Sequence, residues 1–212
     1  MIETKNIVIY GSGGLGRGLI DLINSINSSS EVKWNLLGFI DENEVNEIND
    51  YRSLGDINYL LNYTDNLNVV LAFGNPSVKE KVYEALKENV YLCFPNLIHP
   101  SVEISPYSKL GKGNIISNGV SLSTNIHIND FNLIHYNCSI GHDVLIGSYN
   151  SIFPLAAISG YTSLANGIEV GTTAAIIPDK TIGDNAVIGA GSVVIEDVDE
   201  GRTVVGVPGR EI

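Results

Sequence analysis

From Ile104 to Val194 every sixth residue is aliphatic. The series runs Ile104, Leu110, Ile116, Leu122, Ile128, Ile134, Ile140, Ile146, Ile152, Ile158, Leu164, Val170, Ile176, Ile182, Ile188 and Val194, sixteen positions without an insertion. A helix would return its apolar residues at three and four, and an ordinary strand at two. Period six fits neither, and it is the repeat of a parallel β-helix. An ordinary sandwich is excluded because its loops vary in length and would break the count.

Four residues after each member comes a second series of small or aliphatic residues: Val120, Ile126, Cys138, Val144, Ala156, Thr162, Ile168, Ala174, Ala186 and Ser192. Asn132, Asn150 and Lys180 interrupt it. Each hexad therefore supplies one flat side of a coil, with a large and a small side chain pointing inward. Turns such as Gly147, Gly183-Asp184-Asn185 and Gly189 separate the sides, where a positive φ is cheap. Stacked coils then bury a continuous aliphatic column.

With 212 residues the chain holds one ordinary domain or two small ones. A net charge of -12 argues against nucleic acid or an anionic membrane as partner, since both need clustered Lys and Arg. No apolar run is long enough to cross a membrane, and Met1 to Lys5 leads straight into a strand without a signal peptide. The two cysteines, Cys93 and Cys138, are far apart, and Cys138 falls on the inward series as a small core residue. A reducing cytoplasm is the expected location. Four dispersed histidines without cysteine partners give no zinc spacing, so no metal is expected.

Ahead of the hexads, Asn6–Tyr10 reads as a buried strand, 11–16 as the glycine-rich turn Gly-Ser-Gly-Gly-Leu-Gly, and Arg17–Ile26 as a helix. That order gives a G-x-G-x-x-G match structural meaning, because turn N–H groups at a helix start can approach a phosphate. Gly11 and Gly13 are the candidate phosphate contacts. A second strand, Trp34–Ile40, ends at Asp41, placed to hydrogen-bond a ribose or a base edge. A third, Val69–Phe73, ends at Gly74-Asn75, a helix covers about 77–88, and a short fourth strand covers Val90–Phe94. Roughly four strands make half of a doubly wound sheet, a half-Rossmann domain suited to one nucleotide rather than to NAD(P). The expected organisation is an α/β domain over 1–95, a β-helix over 96–198 and a polar tail over 199–212, whose Gly206-Val207-Pro208-Gly209 segment is too short and too rich in Gly and Pro to be another rung.

This order of features resembles the bacterial sugar acyltransferases, a group holding sialic acid O-acetyltransferases and N-acetyltransferases of nucleotide-linked 4-amino sugars. The resemblance spans the chain and rests on the turn at 11–16, Phe39-Ile40-Asp41, Gly74-Asn75, Ile98-His99-Pro100-Ser101, Gly141-His142-Asp143 and Val205-Gly206-Val207-Pro208. It implies a nucleotide-sugar domain followed by a left-handed parallel β-helix, a homotrimer, and acetyl-CoA held between neighbouring columns. Leu15 stands where the family commonly has histidine.

His142 lies midway between inward Ile140 and Val144, at a corner where side chains point out and Asp143 can project beside it. The residues alone leave a surface histidine and a general base both open. The resemblance implies the base, with Asp143 fixing its tautomer. His135 stands where amino-sugar relatives usually carry asparagine. Holding the acceptor, serving as a second base and filling the groove between subunits are all open to it. His99 and His127 read as surface or packing residues. Gly160 lies eighteen residues, one full coil, after His142, and the resemblance implies that its N–H faces the oxyanion. It also places Gly171, Ala190, Val207 and Pro208 along the CoA channel, although Gly171 serves equally as a corner residue. The expected activity is acetyl-CoA-dependent acetylation of a nucleotide-activated sugar for bacterial surface glycan synthesis, most readily at a 4-amino group. O-acetylation of sialic acid or another glycan sugar is the near alternative. A non-catalytic, trimeric nucleotide-sugar-binding scaffold is the alternative of another class.

Overall fold

The computed structural model describes residues 3–43 and 47–212, so Met1 and Ile2 of the expected direct entry lie outside the described residues. The chain forms two compact units, 1–74 with 78–97, and 98–212 with 75–77.

The first unit is built on strand β1 (Glu3–Tyr10), helix α1 (Gly14–Ser29) and strand β2 (Val32–Ile40). There follow β3 (Glu47–Ile48), β4 (Tyr51–Gly55), α2 (Ile57–Leu61), β5 (Leu67–Leu71), α3 (Pro76–Leu86) and β6 (Leu92–Cys93). The sheet order is β3-β4-β2-β1-β5-β6, parallel except between β3 and β4. Among the described residues the sheet has six strands where roughly four were expected. The extra hairpin went unread because polar residues at 42–50 interrupt the apolar pattern that marks a strand. Ile7, Val8 and Ile9 are fully buried in the central strand, and α1 buries Leu19, Leu22 and Ile23.

In the second unit, two-residue strands stack into three parallel sheets, the faces of a left-handed β-helix. The first face carries Ile115–Ile116, Leu133–Ile134, Ser151–Ile152, Glu169–Val170 and Val187–Ile188. The second carries Ser121–Leu122, Ser139–Ile140, Ala157–Ile158, Ala175–Ile176 and Val193–Val194. The third carries Lys109–Leu110, His127–Ile128, Leu145–Ile146, Ser163–Leu164 and Thr181–Ile182. Within these faces each strand pairs with the next one, eighteen residues on, and the hexad aliphatics from Ile128 to Val194 are buried. Each such side chain contributes roughly 1.5–3 kcal/mol by leaving water.

Four details depart from the sequence reading. Ile104 is exposed, and Val102 takes the inward place in the first coil. Asn132 and Asn150 do not interrupt the interior but furnish it. With Asn114 they form a buried column in which Asn132 N–H donates to Asn114 Oδ1 (2.9 Å), Asn150 N–H to Asn132 Oδ1 (2.9 Å) and Ile168 N–H to Asn150 Oδ1 (2.7 Å). Their amide NH₂ groups donate to the Asn129, Gly147 and Ala165 carbonyls, which makes the burial affordable. The left-handed backbone positions fall at every sixth residue from Gly113 to Gly191, including Phe131, Asp143, Tyr149 and Tyr161, and not at Gly147, Gly183 or Gly189. Gly183 is glycine for a different reason: a Cβ there would lie 2.5 Å from the Glu200 nitrogen of the next coil. Finally, the stack runs on past 198. Thr203–Val205 pairs in parallel with Val187–Ile188, and Arg210–Glu211 returns antiparallel to it. The β-branched run Thr203-Val204-Val205 supplies that rung, and an Arg202–Glu211 ion pair of 2.8 Å ties the hairpin.

Candidate active site

The triangular column has three rows of corners, and the side chains along them differ. Between the third and first faces, Asp130, Ser148, Asn166 and Asp184 form a ladder. Each accepts from the backbone N–H eighteen residues earlier, on Lys112, Asp130, Ser148 and Asn166, at 2.7–3.3 Å. That corner is saturated.

The corner between the second and third faces holds Thr124, His142, Gly160 and Pro178 in the equivalent places. Pro178 offers no side-chain acceptor, and among the described residues none accepts from the Gly160 N–H. Gly160 lies beneath the His142 imidazole, where a Cβ would come within 2.8 Å of Cε1 and Nε2. Asp143 has a φ of 58°, which turns its side chain onto the side of its neighbour. His142 Nδ1 and Asp143 Oδ2 are 2.8 Å apart, and Asn125 Nδ2 donates to Asp143 Oδ1 at 3.1 Å. The hydrogen bonds from His142 and then Asn125 hold the Asp143 carboxyl below the usual carboxylate range. An ionised carboxylate only accepts, so the imidazole proton sits on Nδ1 and Nε2 presents a lone pair. The Tyr161 ring stands edge-on to the imidazole, with centroids 4.9 Å apart. One corner thus gathers an outward-facing imidazole nitrogen, the carboxylate that holds the ring and, among the described residues, an unpaired backbone N–H.

His135 is wired the opposite way. Its Nδ1 accepts the Tyr136 N–H at 3.0 Å, which leaves the proton on Nε2 and makes that atom a donor. Burial lowers its pKa, so the ring is neutral. His135 and Gly171 lie on the corners between the first and second faces, as does exposed Ala190. Within one chain a face of the column separates them from His142. Gly171 donates its N–H to the Ile188 carbonyl (2.7 Å), and a Cβ would lie 2.5 Å from Ala190 N. It is glycine because the coils touch there. Val207 and Pro208 are exposed on the closing hairpin.

In the α/β unit the glycines divide by task. Gly11 has a φ of 108°, and a Cβ there would meet the Ala72 carbonyl at 2.9 Å. Gly16 admits no Cβ because the Gly11 carbonyl abuts it. Gly13, the residue before α1, has an ordinary φ of -65° and open space where a Cβ would go. Asp41 does not offer the carboxylate expected for a ribose. Its Oδ2 accepts from Ser12 N–H (2.8 Å) and Ser12 Oγ (2.5 Å), and its Oδ1 from Asn43 N–H (2.9 Å) and Nδ2 (3.0 Å). All four acceptor positions are occupied. Burial pushes this carboxyl up, and the Ser12 and Asn43 bonds outweigh it, so its pKa lies below the ordinary value. Asp41 latches the turn, a contact the sequence did not disclose. Asn75 Oδ1 accepts from Ser77 Oγ at 2.8 Å.

Fold and site together define a hexapeptide-repeat acyltransferase joined to an α/β unit. Residues 6–86 match the family model described as the PglD N-terminal domain. Over 220 aligned residues the chain is 31% identical to GDP-perosamine N-acetyltransferase of Escherichia coli O157:H7, covering 96% of this chain and 95% of that protein. The chain belongs to the bacterial sugar N-acetyltransferases of the hexapeptide-repeat superfamily. A serine acetyltransferase of Synechococcus elongatus is 34% identical over 113 residues, 52% of this chain and 42% of that enzyme. The fold is that of PerB from Caulobacter crescentus in complex with CoA and GDP-perosamine (TM-score 0.88, 24% identity, 98% and 97% of the two chains). It is equally that of the PglB acetyltransferase domain from Neisseria gonorrhoeae FA1090 (TM-score 0.90, 24% identity, 98% and 100%).

Proposed function

We propose that the protein transfers the acetyl group of acetyl-CoA to the 4-amino group of a nucleotide-linked sugar, in the cytoplasm, for bacterial surface glycan synthesis. The observation that carries this reading is the corner where His142, Asp143 and the unpaired Gly160 N–H meet. The sugar amine attacks the thioester carbonyl directly. His142 Nε2 takes the amine proton, Asp143 keeps the lone pair outward and balances the imidazolium, and the Gly160 N–H stabilises the tetrahedral oxyanion. The thiolate of CoA then leaves with a proton returned from His142. Direct attack by the amine needs no covalent acyl-enzyme, and Cys138, buried with its thiol pushed up by burial, is a poor nucleophile for one.

The assignment of residues 1–95 to the nucleotide sugar and 96–198 to acetyl transfer follows from the same reading. The α1 start, with Gly13 open, takes the phosphates. Asn75 is assigned a contact to the acceptor substrate. Exposed Ala190, Val207 and Pro208 border the CoA path. His135 and Ala190 sit across a face from His142, so one acceptor meets both corner rows only when neighbouring copies supply them. A homotrimer satisfies that requirement.

The test is incubation of the pure protein with acetyl-CoA and UDP-, GDP- and dTDP-linked 4-amino sugars, followed by product mass. One added acetyl group, on nitrogen, is expected. Acetylation of hydroxyl-only sugars with the amino sugars untouched would overturn the assignment.

A further inference from the structure

Tyr161 is the residue at this corner that the chemistry above leaves unused. It has a φ of 60°, a conformation that costs a bulky residue roughly 1–2 kcal/mol. Phe131 and Tyr149 share that conformation, and their rings stack on each other at 5.5 Å and 4°. Tyr161 has no such compensation from burial, being 61% exposed. Its ring instead stands at 86° to the His142 imidazole, and its N–H donates to the His142 carbonyl at 3.0 Å. The neighbouring rungs of the same left-handed column carry Asn125, Asp143 and Asp179, residues that adopt this backbone readily.

We propose that Tyr161 is a positioning residue for the base, a wall that fixes the rotation of the His142 ring. Three contacts then define the imidazole. Asp143 holds Nδ1, the Gly160 backbone is the floor beneath Nε2, and the Tyr161 ring stands edge-on beside the imidazole. The half-exposed imidazole has one hydrogen bond, and a single bond leaves the ring free to tilt about it. A tilt carries Nε2 away from the place above Gly160 where amine and oxyanion donor must coincide. Rate depends steeply on that coincidence, since a displacement of about 1 Å costs on the order of 10²-fold. The inference rests on His142 acting as the base.

The experiment is a double-mutant cycle on the full chain, reading kcat and KM for both substrates together with Tm. Tyr161→Ala is expected to lower kcat about tenfold, leave KM for acetyl-CoA and Tm near their starting values, and shift the His142 ring-proton resonances. Tyr161→Phe restores the rate that Tyr161→Ala loses. In the His142→Ala background, Tyr161→Ala should cause no further loss, because it has no ring left to position. A tenfold loss that persists in that background, or a wild-type kcat for Tyr161→Ala alone, overturns the proposal. A His142→Ala enzyme with undiminished kcat removes the base itself, a separate failure.

Discussion

His142 Nδ1 and Asp143 Oδ2 lie 2.8 Å apart although their residues are consecutive. Neighbours in a strand project to opposite faces, and it is the left-handed φ of 58° at Asp143 that brings them to one side. The same conformation recurs at every rung, so the pair uses the column's own geometry and needs no added loop.

His142→Ala should therefore lower kcat by roughly 10²–10⁴-fold, with little change in KM for acetyl-CoA. Asp143→Asn should cost less, since it weakens orientation and basicity but leaves a base in place. Steady-state kinetics of both variants, with each substrate varied in turn, checks the pair.

Two glycines on different corners should fail differently. A Cβ at Gly160 meets the flexible imidazole at 2.8 Å, so Gly160→Ala displaces the base and lowers kcat with little change in Tm. A Cβ at Gly171 meets backbone at 2.5 Å, so Gly171→Ala forces coils apart and destabilises by about 1–3 kcal/mol. Thermal melts beside kinetics separate the two. A Gly160→Ala protein with normal kcat would remove the imidazole from above that residue.

In the glycine turn, Gly13→Val should raise KM for the nucleotide sugar while Tm and KM for acetyl-CoA hold, because only a bound phosphate could oppose its side chain. Gly11→Ala should lower Tm instead, given its φ of 108° and the Ala72 carbonyl at 2.9 Å.

His135 gives a pH prediction with a definite sign. Burial lowers its folded pKa, so in mild acid the unfolded chain binds a proton that the folded chain refuses. Its contribution to stability is complete above the ordinary imidazole value of about 6.5 and is lost as pH falls toward the lowered folded value. His135→Asn should flatten the fall in Tm between neutral and mildly acidic pH. A slope identical to that of the parent would show that the ring titrates alike folded and unfolded.

The β-helix and the pairing of His142 with Asp143 at its corner were legible because their signals are local in sequence: an aliphatic every sixth residue, and His142-Asp143 between two of them. What escaped depends on period eighteen or on side-chain direction. Asn132 and Asn150 looked like interruptions at period six, and only one coil's spacing shows Asn132 bonded to Asn114 and Asn150 to Asn132. Phe131 and Tyr149 give no hint of a left-handed backbone, since neither prefers it. Asp41 was placed correctly past its strand, yet its task turned on Ser12 rotating toward it. Thr203–Val205 was hidden by the Gly and Pro that follow it, which close a hairpin after the last rung.

The buried asparagines also answer a question the aliphatic series leaves undecided. A column whose inner residues repeat every six can wind one face out of step and still find an isoleucine, leucine or valine at each inward place. Such a slip would set the Asn114, Asn132 and Asn150 amides against apolar neighbours, each losing hydrogen bonds at about 1–3 kcal/mol apiece. Three polar side chains thus act as an indexing mark, making one winding of the chain far cheaper than its near-copies. A protein with Asn114, Asn132 and Asn150 all replaced by valine could retain its core and lose its count, folding into columns whose corners no longer agree on which residue faces the substrate.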